Sequence, residues 1–291
     1  MMDLCVAGLP IRVESADKEF FNRRYAAYQR EDDRAPVMEM TTQILDVIPT
    51  PQGELLSKVN AVQLVRTSDG RLCRYACNAS GEIVFAIYST ADYSKVDIQL
   101  YAHRNHPHLS LTDWEYVYTG FSFQNRLAVL GGGVLHSSSL AYKGQGIAFS
   151  APSGTGKSTH VGLWKKHFGD EVEVINDDKP AIRFEGEQAM LCGTPWSGKT
   201  DQNLNRMVPL KAIVFIERGE TNSIRRLNTV ESMFNLTTQI VRPYYDAELG
   251  VKILDFTERV LQNVPIYMLR CNISDEAVET VFREIFEKED E

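Results

Sequence analysis

Along the first 110 residues, apolar and polar side chains alternate in short runs separated by Pro, Gly, Asp and Ser: PIRVES, TTQILDVIP, NAVQLVRTS, RLCRYACN and EIVFAIYS. A period of two with β-branched and aromatic residues predicts strands half-buried on one face, and the region reads as an antiparallel sheet. FFNRRYAAYQR breaks the alternation. Its Phe20, Phe21, Tyr25 and Tyr28 can share one side of a short helix, which leaves Arg23, Arg24 and Arg30 on a solvated side.

Beyond residue 110 the period changes. Thr112 and Asp113 can cap a helix that buries Trp114, Val117, Tyr118, Phe121 and Leu127 and stops at Gly131-Gly132-Gly133. Strands and helices then alternate. GIAFSA, EVEVI, AIRF, AMLC, KAIVFIE and PIYMLRC predict strands; KSTHVGLWKKHF, TVESMFNLTTQIV, DAELGVKILDFTERVLQ and DEAVETVFREIFEK predict helices. The expected class is α/β, α+β overall, with a strand-rich region over 1–110 and a mixed sheet with flanking helices over 111–291.

Composition narrows the partners more than the fold. A chain of 291 residues, 43% apolar, can bury one large or two modest cores. A net charge of -8 argues against nucleic acid as the main partner, though it leaves room for a local phosphate site. The five cysteines, Cys5, Cys73, Cys77, Cys192 and Cys271, lack paired metal spacing and read as reduced thiols. The N-terminus has neither a basic start nor a long apolar segment, so a soluble, cytoplasmic protein without a membrane span is expected.

The chemistry concentrates in IAFSAPSGTGKSTH, residues 147–160. Between a strand and a helix, Ser153, Gly154, Thr155, Gly156, Lys157, Ser158 and Thr159 give the working half of a phosphate-binding loop. Glycines let successive N–H groups and a helix N-terminus approach phosphates, the lysine adds a full charge, and the serine hydroxyl can ligate Mg²⁺. Ala151 stands where the usual first glycine would be. Downstream, Asn176-Asp177-Asp178 follows the strand EVEVI, placing two carboxylates at the C-terminal edge of the same sheet. One could hold a metal and the other face an acceptor hydroxyl. His136 lies upstream in GGGVLHSSSL, where a packed or surface histidine is the simplest reading. His103, His106 and His108 read as a loop interrupted by Pro107.

Together, HSSSLAYKGQGIAFSAPSGTGKST and INDD resemble the core of the HPr kinase/phosphorylase family, related in fold and phosphate loop to ATP-dependent phosphoenolpyruvate carboxykinases. The resemblance covers roughly residues 130–220 and implies a nucleotide-binding catalytic domain. It implies phosphate binding by Ser153 through Thr159, Mg²⁺ at Ser158 and Asp178, Asp177 as catalytic base, and His136 as its helper. GTPWSGKTDQN is similar to a stretch in small HPr-kinase-like proteins of bacterial biosynthetic gene cassettes, where Lys199 and Arg206 could contact phosphate. ATP or another nucleoside triphosphate, with Mg²⁺, is the implied cofactor set. The implied acceptor is a hydroxyl-bearing peptide, protein or small molecule, and a homo-oligomer stays open because relatives assemble. Two other readings keep the loop: a nucleotide-binding switch without transfer, and a carboxykinase-like enzyme acting on a small acid.

Overall fold

In the computed structural model, which describes residues 1–198 and 200–288, the alternating segments at the start of the chain form one eight-stranded sheet. Its strands are β1 (Met2–Val6), β2 (Leu9–Glu14), β3 (Met38–Leu45), β4 (Glu54–Val59), β5 (Val62–Arg66), β6 (Leu72–Cys77), β7 (Ile83–Ser89) and β8 (Lys95–Tyr101). They lie in the order β1-β2-β3-β8-β7-β6-β5-β4. The sheet is mixed rather than antiparallel: β3 runs parallel to both β2 and β8. Alternation reports which face is buried and carries no direction. A parallel neighbour needs a crossover, and the helix within FFNRRYAAYQR supplies the one between β2 and β3.

That helix, α1 (Lys18–Arg24), stops early and continues as a 3₁₀ turn over Ala26–Tyr28. Phe21, Tyr25 and Tyr28 are fully buried. Arg23 is exposed as expected, whereas Arg24 and Arg30 depart from the solvated face. Arg24 donates to the Tyr116 hydroxyl at 2.8 Å, and the Arg30 side chain is 5% exposed between Asp3 and Asp32. Charged stems that cover apolar surface bury readily when a carboxylate or hydroxyl receives the head.

Helix α2 (Leu111–Val129) is capped by Ser110, whose hydroxyl and Asp113 form a reciprocal capping box. Thr112 instead donates to Asp17 at 2.7 Å. Its buried side carries Glu115, Tyr118, Phe123, Leu127 and Ala128, while Trp114, Val117 and Phe121 are only half-buried. Gly131 (φ 77) then takes the left-handed position that ends the helix.

The chain clusters into two units, residues 1–130 with 242–252, and residues 131–241 with those from 253 onward. In the first, the returning segment is fastened by polar side chains. Tyr93 donates to Asp246 at 2.8 Å, Asn125 to the Tyr245 hydroxyl at 2.9 Å, and Ser57 to the Tyr245 carbonyl.

The second unit is built on β9 (Gly133–Val134), β10 (Ser137–Tyr142), β11 (Gln145–Ser150), β12 (Val172–Asn176), β13 (Ala181–Glu185), β14 (Gln188–Cys192), β15 (Met207–Arg218), β16 (Ser223–Arg226) and β17 (Ile266–Cys271). Its helices are α3 (Lys157–Phe168), α4 (Thr229–Gln239), α5 (Ala247–Asn263, begun in the first unit) and α6 (Asp275–Phe282), the last extended by a π-helical stretch to Glu287. The second sheet is mixed as well, and the protein is α/β. Parallel β11, β15 and β17 form its centre, with β10 antiparallel to β11 and β12 antiparallel to β10. Four strands, β11, β12, β15 and β17, therefore end on one edge, and β10 begins there. Trp164 on α3, with no exposed surface, packs with Phe168 and with Phe149 and Tyr142 of β11 and β10. No helix among the described residues is long and apolar enough to cross a membrane.

Candidate active site

The shared edge gathers what the chain presents there. The turn after β11 is the loop Ala151–Gly156, and α3 begins at Lys157 with Gly156 as its cap and no side chain bonded to its first turn. The first-turn N–H groups of a helix have no partner within it, so they face the cleft as donors. Gly154 (φ 78) and Gly156 (φ 122) take backbone conformations that side chains disfavour. A Cβ on either would meet nothing within 4 Å, so the backbone there lies open to a ligand.

Ala151 is a different case. Among the described residues it is not one of the positive-φ positions, and its side chain is buried in the core with Phe149, Val161 and Val214. The loop does not need glycine at this point. Its carbonyl accepts from the Lys157 ammonium at 2.9 Å. Burial lowers the Lys157 pKa, while Asp178 and Asp177 pull it back up.

A cleft of about 490 Å³ is lined by His136, Ser153, Gly154, Gly156, Lys157, Ser158, Thr159, Asp177 and Asp178, with Ser197, Gly198 and Thr200 opposite. The carboxylates are held from behind. Asn176, fully buried at the end of β12, accepts from the Asp178 and Lys179 backbone N–H groups at 2.9 and 2.7 Å. Its amide nitrogen donates to the Thr194 carbonyl at 2.8 Å. This side chain bends the chain so that two successive acids leave the strand end toward the cleft. Ser138 donates to Asp177 Oδ1 at 2.6 Å, and the Asp177 N–H donates to the Gln202 carbonyl at 3.1 Å. The Asp178 side chain lies against Gly198.

His136 is near Asp178 rather than fixed to Asp177: its Nε2 is 3.5 Å from Asp178 Oδ1. Burial and the Lys157 charge lower its pKa below the ordinary histidine value, against the opposing pull of Asp178. Arg206 does not line the cleft; its guanidinium pairs with Glu173 on β12. Lys199 lies outside the described residues. Thr155 belongs to the loop but bonds inward, donating to the Pro152 carbonyl at 2.9 Å.

Three contributors escaped the sequence reading. Ser138 sits on β10, whose SSSLAY pattern does not announce a strand, yet the serine run opposite INDD is the trace of it. Asn176 was visible only as the first letter of NDD. Arg218, the last residue of β15, donates to the Gly154 and Thr155 carbonyls and braces the loop, and nothing local in KAIVFIER marks it.

Ser138→Ala removes a short bond to a charged group, a contribution of about 1.5–3 kcal/mol. The expected result, if the cleft carries out transfer, is a turnover number lower by about tenfold or more with nucleotide KM little changed, and rescue by Ser138→Thr. Steady-state kinetics of the three proteins would check it; equal turnover in all would remove Ser138 from the positioning of Asp177.

The family described as "ScmC: SynChlorMet cassette protein ScmC" has a model that matches residues 114–287, more than half of the chain. Among solved structures, the Hpr(Ser) kinase/phosphatase from Coxiella burnetii is similar at 12% identity and a TM-score of 0.35, with 54% of this chain and 99% of that chain covered. No curated protein sequence matches the chain.

Proposed function

The chain belongs to the SynChlorMet cassette protein ScmC family, and from that premise we propose that it is an ATP- and Mg²⁺-dependent kinase acting on a hydroxyl. The hydroxyl is that of a serine in a peptide or protein, or of a small molecule. One observation carries the reading: a cleft in which an open phosphate loop faces two adjacent carboxylates, one of them oriented by a buried serine. A loop alone serves binding; a loop opposite a positioned carboxylate also serves transfer.

The donor set fits the groups it is asked to hold. Ser158 and Asp178 offer the hard oxygens that Mg²⁺ prefers, both on the cleft wall, and these two would hold it. Bound there, the metal supplies charge neutralisation at the β- and γ-phosphates. The loop N–H groups and Lys157 bind and orient those phosphates and stabilise charge as it spreads over the transferred group. Asp177 uses Oδ1 to accept from Ser138, which leaves Oδ2 to take the acceptor's proton as its oxygen bonds to phosphorus and the bond to the leaving diphosphate breaks. Burial and the Lys157 charge disfavour a proton on His136, which limits the positive charge beside Asp178. The sequence resemblance to HPr kinases implies the same roles for Ser153 through Thr159, Asp177 and Asp178, and makes His136 a helper of Asp177.

The test is incubation with γ-labelled ATP, Mg²⁺ and serine-containing peptides or cell extract. Label should pass to an acceptor and the transfer should stop when the metal is chelated. Tight ATP binding with no label transferred to any acceptor would replace this reading with a nucleotide-binding switch.

A further inference from the structure

A second cavity, about 420 Å³, opens on the other side of the phosphate loop and shares Gly154, Gly156 and Thr159 with the first. Its character is opposite. Beside Thr159, Thr155, which donates to the Pro152 carbonyl, and His160, which accepts from the Trp164 indole, the walls include Leu163 and Ile216, the Arg218 guanidinium and Ile273, which is 79% exposed although large and apolar. This size lies within the range of about 300–1,000 Å³ typical of small-molecule sites.

Resting on the proposed phosphate chemistry, we propose that this cavity seats the nucleoside and selects a planar ring by burial and stacking, with no side chain reading the base edge, so that ATP and GTP serve alike. Arg218 is tethered to two loop carbonyls, which fixes its planar guanidinium at the cavity wall, where it can stack on a ring face. Ile273 closes over the opposite face, which accounts for an apolar side chain left standing in solvent. Asn272 is the wall's one side-chain amide, and it is turned to its own neighbours: its nitrogen donates to the Glu220 carbonyl at 3.0 Å and its oxygen accepts from Ser274 at 2.6 Å. Discrimination between purines requires a polar group matched to the edge; apolar walls discriminate weakly.

The experiment measures Kd for ATP, GTP and inorganic tripolyphosphate with the parent, Ile273→Asp and Lys157→Ala. In the parent, ATP and GTP should agree within about tenfold. Ile273→Asp should weaken both by about tenfold or more and leave tripolyphosphate unchanged. Unaltered ATP binding in Ile273→Asp, or a preference between ATP and GTP above about a hundredfold, would overturn the nucleoside seat. Failure of the underlying phosphate reading looks different: Lys157→Ala would then leave tripolyphosphate binding unchanged. Because Ile273 is exposed, the aspartate should not alter folding, and thermal unfolding checks this.

Discussion

Asp177→Asn should lower phosphoryl transfer by about 10²–10⁴-fold while ATP affinity stays within a few-fold of the parent. Asparagine has the same shape and keeps an oxygen able to accept from Ser138, so the turn built on Asn176 and the Gln202 contact should survive. What disappears is the second carboxylate oxygen, the one available to receive the acceptor's proton. The loop after β11 is separated from the end of β12 by β10 and is unaltered, so binding and transfer should separate cleanly. Equilibrium binding beside single-turnover transfer gives both numbers from one preparation. An asparagine variant as fast as the parent would show that Asp177 is not the base; one that loses ATP binding as well would make it a structural or metal-holding group.

Gly193→Ala should be the most damaging single methyl in the second unit. An added Cβ would lie 1.8 Å from the Leu204 carbonyl oxygen and 3.0 Å from that of Ile175, both rigid backbone. Gly193 is the point where the segment after β14 folds back on itself. Its N–H donates to the Arg206 carbonyl at 2.9 Å, and the Leu204 N–H donates to the Ile175 carbonyl at 3.0 Å. That stitching holds Ser197 and Gly198 against the cleft and brings Gln202 to the Asp177 N–H. Relief of the clash must part these strands of backbone. A stability loss of about 3 kcal/mol or more is expected in chemical denaturation, with transfer impaired even in the fraction that stays folded. A variant within about 1 kcal/mol of the parent and equally active would show that the close approach is dispensable.

The sequence was most legible where one local pattern decided the outcome. The helix expected from KSTHVGLWKKHF has the same bounds as α3, because the glycine before it and the glycine after it set both ends. The loop and INDD could be placed together because a strand preceded each. Legibility failed where distant residues had to meet. Strand direction around β3 depends on crossovers, which alternation does not encode. Arg30 reads as a surface cation because its burial depends on Asp3, far back along the chain, as well as on the nearby Asp32. The hydroxyl of Ser138 and the guanidinium of Arg218 acquire their roles only when β10 and β15 flank β11. Ala151 was legible as a departure from the loop pattern, but its harmlessness was not, since that rests on the backbone angle and on the core around the methyl group.

The return of residues 242–252 to the first unit governs how this protein could have arisen and how it can be divided. No uninterrupted stretch of the gene encodes that unit. A fragment ending anywhere before residue 242 lacks Tyr245 and Asp246, and leaves the Asn125 amide and the Tyr93 hydroxyl without their acceptors. Joining two finished genes end to end cannot produce this arrangement. Nor can a single insertion of one whole coding segment into another, since the second unit is itself split around residues 242–252, and any attempt to lift out either half must remove two pieces of chain together.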